Sequence, residues 1–164
     1  MITPFRVLTL IACLAGGAAL AATGGPAPSC PVHTLDRTRT LDPGNTQGRV
    51  TYVDFWASWC GPCAQSFPFM NELYGELHPK GVEIIAVNLD EEPDAAAEFL
   101  RRHPARFTVA ADPKGQCPAL YGVKAMPTSF LIDRHGTIRH MHLGFRNSDR
   151  EQIRSELRAL LEDR

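Results

Sequence analysis

The sequence lacks a surplus of basic residues, an internal repeat and a low-complexity tract. Seventeen Lys and Arg are balanced by 18 Asp and Glu, which gives a net charge of −1. A protein that neutralises many phosphates needs a basic surplus, so nucleic acid is not an expected partner. The 164 residues, 44% of them hydrophobic, suffice for one core but not for two full domains. We therefore expect one globular domain.

The chain also lacks an apolar run of the roughly 20 residues that a membrane-spanning helix needs. Its most apolar stretch, residues 7–14, is short, and Gly16-Gly17 follows it. Arg6 before this stretch and Ala19-Leu20-Ala21 after it are typical of a cleavable signal peptide over residues 1–21. We therefore expect export across the inner membrane to the periplasm, rather than retention by an N-terminal membrane anchor.

A lipid anchor is the alternative mode of export. Leu10-Ile11-Ala12-Cys13 is similar to the lipobox of bacterial lipoproteins, in which the Cys becomes the lipidated N-terminus. Only 12 residues would precede it, which is short for a signal, so ordinary cleavage after Ala21 is the favoured prediction. Four cysteines then remain, an even number in a compartment where disulfides persist. The sequence therefore points to thiol chemistry.

The first half of the chain predicts a βαβ unit. Residues 22–29 (ATGGPAPS) are expected to form a flexible linker, and the domain is expected to span residues 30–164. Two apolar, β-branched runs, Val50–Trp56 and Val82–Asn88, are typical of buried strands. Between them, apolar residues recur at steps of three and four and predict a helix, namely Phe67, Met70, Leu73, Tyr74 and Leu77. Strand, helix and strand in about 40 residues favour a parallel pair with a crossover helix.

The second half adds two helices and a hairpin. Residues 93–103 read as a helix and residues 107–111 as a short strand. Residues 128–133 and 138–145 are predicted strands of an antiparallel hairpin. A Ser148 to Glu151 capping box predicts the start of the last helix. Together these elements predict an α/β domain with a mixed sheet flanked by helices.

The motif Trp59-Cys60-Gly61-Pro62-Cys63 lies where the first buried strand ends and the helix begins. At a helix N-terminus, free backbone N–H groups and the helix dipole stabilise a thiolate, so Cys60 is the expected nucleophile. Cys63 is one turn deeper on the same face, within reach of Cys60, and is the expected resolving thiol. A purely structural bridge across so short a loop would stabilise the fold only slightly.

Metal sites are the competing interpretation of these residues. A zinc site needs two further ligands, and the chain has no second CxxC and no HxxxH spacing near Cys30 or Cys117. His140 and His142 share one face of a predicted strand, but no third ligand is evident, so a solvated strand face is favoured over a metal site. No metal is expected.

Two segments resemble a known family. Residues 53–63 (VDFWASWCGPC) closely resemble the active-site stretch of thioredoxins, and Met126-Pro127-Thr128 resembles their cis-proline loop. With the signal peptide, an N-terminal extension and about 20 extra residues from Glu91 to Ala111, the chain resembles the exported TlpA/ResA-like branch of the thioredoxin superfamily. The resemblance implies a thioredoxin-like fold with a central mixed sheet, this N-terminal extension and a βα-type insertion before the cis-proline loop.

The resemblance also assigns roles to residues. Asp54 would be the buried acid that exchanges a proton with Cys63, and Pro127 would follow a cis peptide bond that places the Met126 backbone beside an extended substrate. Thioredoxins place a Lys near this acid, whereas the strand from Ile84 to Asn88 offers none. The implied catalytic residues are Cys60, Cys63, Asp54 and Pro127, and the implied substrate-binding residues are Trp59, Gly61, Pro62 and Met126.

The implied activity is that of a thiol-disulfide oxidoreductase that mainly reduces protein disulfides, with no organic cofactor. The resemblance implies a membrane electron donor of the DsbD/CcdA type, a possible place in cytochrome c maturation, and a monomer. A disulfide oxidase or isomerase and a non-enzymatic binding or chaperone module on the same fold are the alternatives. A peroxiredoxin-type peroxidase would need a Thr and a Pro before a lone Cys, whereas Trp59 and a cysteine pair stand here.

Cys30 and Cys117 lie outside this motif, 117 − 30 = 87 residues apart. Closing so long a loop stabilises a fold by roughly 4 kcal/mol in the chain-entropy model. We therefore expect a structural disulfide between them; a redox relay with the active pair is the alternative.

Overall fold

The computed structural model describes residues 23–45 and 47–163. The predicted signal peptide over residues 1–21 and the lipidation candidate Cys13 lie outside this part of the chain. Among the described residues, no helix is both long and apolar enough to cross a membrane.

In the described part of the chain, seven strands and four α-helices make up the fold. The strands are β1 (Val32–Thr34), β2 (Thr40–Leu41), β3 (Val50–Trp56), β4 (Val82–Asn88), β5 (Thr108–Ala111), β6 (Thr128–Ile132) and β7 (Ile138–Leu143). The helices are α1 (Gly61–Leu77), α2 (Pro93–Arg102), α3 (Gln116–Leu120) and α4 (Arg150–Glu162).

The strands form one mixed sheet in the order β2-β1-β5-β4-β3-β6-β7. The parallel strands β3, β4 and β5 are at its centre, and β6 pairs antiparallel with both β3 and β7. Every residue of β3 is buried, as its apolar sequence requires for a strand covered on both faces. The predicted βαβ unit, the hairpin and the βα-type insertion formed by α2 and β5 are confirmed, and with them the thioredoxin-like fold.

A hydrophobic core fills each side of the sheet. Successive side chains of a strand point to opposite faces, and β3 divides accordingly: Tyr52 and Trp56 pack with α1, α2 and α4. Val53 and Phe55 pack on the opposite face with α3 and β1. Asp54 therefore lies on the same face as α1, the helix that carries the cysteine pair.

The sequence did not predict the hairpin of β1 and β2 or the helix α3. These elements are two, three and five residues long, too short to show a periodic pattern. Strand β1 reaches the sheet by pairing antiparallel with β5. The hairpin therefore extends the sheet beyond the parallel strands.

The segment expected to be a flexible linker instead contacts the domain. The Gly24 and Ala27 N–H groups donate to the Ile138 and Gly136 carbonyls at 2.7 and 2.8 Å, and the Ile138 N–H donates to Gly25. Pro26 forms a β-bridge with Thr137. The ordered contacts of the domain thus begin before the predicted boundary at Cys30.

The start of the last helix also differs from the prediction. A 3-10 turn over Asn147–Asp149 precedes α4, and it is the Asp149 carboxylate that accepts a backbone N–H, from Arg146 at 2.8 Å. The Ser148 hydroxyl donates to Asp149. The predicted Ser148 to Glu151 capping box is therefore wrong, because Asp149 takes the capping role one turn earlier.

Candidate active site

Cys60 is the N-cap residue of α1. Its own N–H donates to the Ala57 carbonyl at 3.1 Å, which closes the loop between β3 and the helix. The Cys63 N–H is shared between two acceptors of Cys60: it donates to the carbonyl at 3.1 Å and to the sulfur at 3.2 Å. The predicted setting of Cys60 at a helix N-terminus is thus observed.

Cys60 and Cys63 form a disulfide with an S–S distance of 2.05 Å. Cys60 is 5% exposed and Cys63 is fully buried. Gly61 and Pro62 between them are exposed, and the Trp59 side chain is 74% exposed. Only the Cys60 side of the bridge is therefore open to an incoming disulfide, and a flat apolar surface stands beside it.

Asp54 is buried beneath α1, with 1% of its surface exposed. Its Oδ2 finds no hydrogen-bond partner among the described residues. Burial raises the pKa of the Asp54 carboxyl well above its ordinary range, because desolvation disfavours the charged form. A carboxylate with a raised pKa binds a proton more readily, so Asp54 could exchange one with a thiol.

The neighbours of Asp54 in the sheet are uncharged. Asp54 is paired across the sheet with Ala86 of β4 and Ser129 of β6. Tyr52, on the same face of β3, is also buried, and both burial and the charge of Asp54 raise the pKa of Tyr52. The β4 residue that pairs with Asp54 is Ala86, which brings no positive charge to balance an ionised carboxylate.

The peptide bond between Met126 and Pro127 is cis. Thr128, the next residue, pairs with Phe55 near the end of β3, so the loop and the cysteine pair lie at the same edge of the sheet. The Gly144 N–H donates to the Pro127 carbonyl at 2.8 Å, and the Thr128 hydroxyl donates to Ala125 at 2.7 Å. Met126 is half-buried against the core that contains both cysteines.

A polar cluster beside the site was not foreseen. The Asp90 carboxylate, 8% exposed, accepts the backbone N–H and the hydroxyl of Ser58, at 2.9 and 3.1 Å, and the side-chain N–H of Asn88 at 2.7 Å. Asn88 ends β4 opposite Trp56. A signal was available in the sequence, since polar residues follow a buried strand at the sheet edge where the cysteine motif also lies.

Cys30 and Cys117 form a second disulfide across 87 residues. Both are buried, and the bridge joins the residues before β1 to α3. Asp42 accepts the Cys30 N–H at 3.1 Å and Asp112 accepts the Cys117 N–H at 2.6 Å. Its surroundings are those of a structural bridge.

His140 and His142 both face Glu156 of α4, whose carboxylate lies 3.5 and 2.7 Å from their ring nitrogens. Within the described part of the chain, no group of three or more His, Cys, Asp and Glu side chains is arranged to hold a metal ion. The two histidines are thus occupied in contacts between β7 and α4.

Comparison with known proteins agrees with this geometry. The Redoxin family model matches residues 22–161. The thiol-disulfide oxidoreductase ResA of Bacillus thuringiensis (strain Al Hakam) is 35% identical over 137 residues, which cover 84% of this chain and 78% of that protein. ResA of B. thuringiensis subsp. konkukian is 39% identical over 115 residues, 70% of this chain and 66% of that protein, slightly under two thirds of its length.

Solved structures give the same result. A Chlorobium tepidum structure assigned to the thiol:disulfide interchange protein DsbE aligns with a TM-score of 0.81 and 48% identity, covering 86% of this chain and 99% of that one. DsbF of Mycobacterium tuberculosis aligns with a TM-score of 0.73 and 26% identity, covering 83% and 98%. These relatives are named for thiol-disulfide exchange, and the Cys60–Cys63 pair is the group in this chain that could carry it out. The chain belongs to the Redoxin family, as a TlpA/ResA-like member of the thioredoxin superfamily.

Proposed function

We propose that the chain works outside the inner membrane and reduces protein disulfides. The direction is inferred from the few groups that are placed to stabilise a Cys60 thiolate. This thiolate has the N-terminus of α1 and the Cys63 N–H at 3.2 Å, but Gly61, Pro62 and Ala64 bring no charge. A dithiol oxidises others strongly when its reduced form is specially stabilised. A modestly stabilised pair favours its own disulfide and gives electrons away.

The reaction follows from the positions of the two sulfurs. The Cys60 thiolate attacks one sulfur of a substrate disulfide, that bond breaks, and the leaving thiolate takes a proton. The buried Cys63 thiol then passes its proton towards Asp54 and attacks Cys60, which closes the Cys60–Cys63 bridge. The second substrate thiol leaves, so two electrons have moved from the pair to the substrate.

The surface around Cys60 suits an extended polypeptide. Trp59 offers an exposed aromatic face, Gly61 and Pro62 leave the approach to the sulfur open, and the Met126 backbone lies at the same sheet edge. We propose these four residues as the substrate contacts. Protein disulfides, including that of an apocytochrome c during maturation, are the proposed substrates.

The source of the electrons and the location of the enzyme are also part of the proposal. No organic cofactor is needed, since the cysteine pair itself carries the electrons. A membrane protein of the DsbD/CcdA type would restore the reduced pair, and the enzyme would act as a monomer released by cleavage after Ala21. N-terminal sequencing of the periplasmic form tests the cleavage: a start at Ala22 supports it, and a blocked or lipidated Cys13 contradicts it.

Reduction of a peptide disulfide tests the direction. The fully reduced protein is mixed at equal concentration with an oxidised peptide that carries the CxxCH haem-attachment motif, and thiols are counted by mass after alkylation. We expect the peptide to emerge reduced and Cys60–Cys63 to emerge oxidised. A mixture in which, at equilibrium, the peptide stays oxidised and Cys60–Cys63 stays reduced would contradict the proposal.

A further inference from the structure

The loop that presents the cysteine pair is held from the side by a buried carboxylate. Residues Ala57, Ser58 and Trp59 join β3 to the N-cap of α1. Ser58 is fixed by Asp90, which accepts its N–H at 2.9 Å and its hydroxyl at 3.1 Å. Since Ser58 lies two residues before Cys60, these bonds restrain the stretch of backbone that determines the position of the Cys60 sulfur.

Asp90 is itself fixed by the sheet. The Asn88 side chain donates to Asp90 at 2.7 Å, and the Asp90 N–H donates back to the Asn88 side-chain oxygen at 3.2 Å. The Asn88 carbonyl accepts the Asp112 N–H at 2.8 Å at the edge of β5. The Asp90 carboxylate thus links the loop of residues 57–59 to the end of strand β4.

Burying a carboxylate costs free energy, and an apolar residue at this position would avoid that cost. Stability of the fold alone therefore does not explain an Asp at position 90. Asp90 is only 8% exposed, and within the described part of the chain its oxygens accept hydrogen bonds from the N–H and hydroxyl of Ser58 and from the Asn88 side chain. Its contacts point to the reacting loop rather than to solvent or to a surface cation.

We infer that Asp90 is a positioning residue for thiol-disulfide exchange: through Ser58 it holds Cys60 at the N-terminus of α1, in the orientation that an in-line attack needs. It touches neither sulfur and acts by hydrogen bonds. In Asp90→Asn the amide oxygen can accept the Ser58 N–H and the Asn88 side-chain N–H, and the amide N–H can donate to the Ser58 hydroxyl, so this amide should replace the carboxylate. A misplacement of about 1 Å can cost on the order of a hundredfold in rate. The inference concerns the exchange step in either direction and does not depend on the proposed reducing role.

The test compares Asp90→Ala with Asp90→Asn. The rate of Cys60 alkylation by iodoacetamide is measured against pH on reduced protein, together with kcat/KM for insulin disulfides. We expect Asp90→Ala to lower kcat/KM by about tenfold or more and to move the midpoint of the alkylation profile, and Asp90→Asn to restore both to within about threefold of the parent values.

Asp133 provides the matched control. It is another buried carboxylate that accepts two backbone N–H groups, from His135 and Thr137, at the opposite edge of the sheet. Asp133→Ala should lower the melting temperature and leave the alkylation profile unchanged. Equal profiles for Asp90→Ala and Asp133→Ala, or an Asp90→Asn variant as slow as Asp90→Ala, would overturn the inference.

A milder variant keeps the test decisive if Asp90→Ala does not fold. Ser58→Ala removes only the half-buried hydroxyl that donates to Asp90. We expect it to melt like the parent protein and to slow exchange by about threefold, since one of the bonds to the loop is lost. Parent-like exchange in this variant would count against the positioning role.

Discussion

The backbone N–H of Cys63 points at the sulfur of Cys60 from 3.2 Å. The same N–H is in place to donate to a Cys60 thiolate once the disulfide is reduced, and hydrogen bonds to a charged form favour that form. Cys63 itself is fully buried. One turn of helix therefore separates a sulfur at the helix N-terminus, 5% exposed, from a fully buried one.

Serine substitutions should separate these two roles. Cys60→Ser should abolish reduction of insulin disulfides, because no accessible nucleophile remains. Cys63→Ser should still attack but stop at the mixed disulfide, because nothing resolves it. Non-reducing gel electrophoresis of each variant with a disulfide substrate checks this.

A covalent adduct formed by Cys60→Ser through Cys63 would contradict the assignment of roles. Retained substrate binding without any exchange in the parent protein would instead favour a binding module.

Asp54→Asn should stabilise the protein at neutral pH and slow exchange. Burial raises the folded-state pKa of Asp54 above the unfolded value of about 3.9. The folded state therefore holds the proton more tightly, so the contribution of Asp54 to stability is complete below about pH 4 and is lost as the pH rises towards the folded-state pKa. Each unit of pKa difference corresponds to about 1.4 kcal/mol.

Melting temperatures at pH 4 and pH 8 measure this effect. The parent protein should lose stability between these values relative to Asp54→Asn, while the variant closes its mixed disulfide more slowly because Cys63 has lost its proton acceptor. A variant less stable than the parent at pH 8 would contradict the account.

The Cys30–Cys117 bridge should matter for stability and not for exchange. It closes a loop of 87 residues, for which the chain-entropy model gives about 4 kcal/mol. Denaturant unfolding of a Cys30→Ser/Cys117→Ser protein should show a loss of that order, with insulin reduction unchanged. Exchange that fails in this variant while the protein remains folded would favour a redox relay instead.

The central part of the fold could be predicted because its residues repeat a pattern over enough length. The buried strands β3 and β4 and the helix between them carry seven or more residues each, so their periods are visible. Cys60 and Cys63 could be placed because the motif begins at the end of such a strand, whereas Asp54 was assigned only through the resemblance to thioredoxins.

What escaped prediction depends on contacts between distant segments. Asp90 lies 32 residues from Ser58, and no local pattern links them. The pairing of Gly24 with Ile138 likewise arises only once the sheet is assembled, so a Gly- and Pro-rich segment read as a flexible linker. Asp149 rather than Ser148 has the capping role before α4, because a 3-10 turn precedes the helix. The exact end of a helix depends on one or two hydrogen bonds, which the sequence pattern does not show.

The reduction potential of the Cys60–Cys63 pair tests the account most directly. It is measured on mature protein carrying Cys30→Ser and Cys117→Ser, equilibrated against a series of thiol buffers. The modest stabilisation that we propose for a Cys60 thiolate predicts a value close to that of thioredoxin, about −270 mV. A value near the about −120 mV of DsbA would contradict the reducing role and make the protein an oxidase.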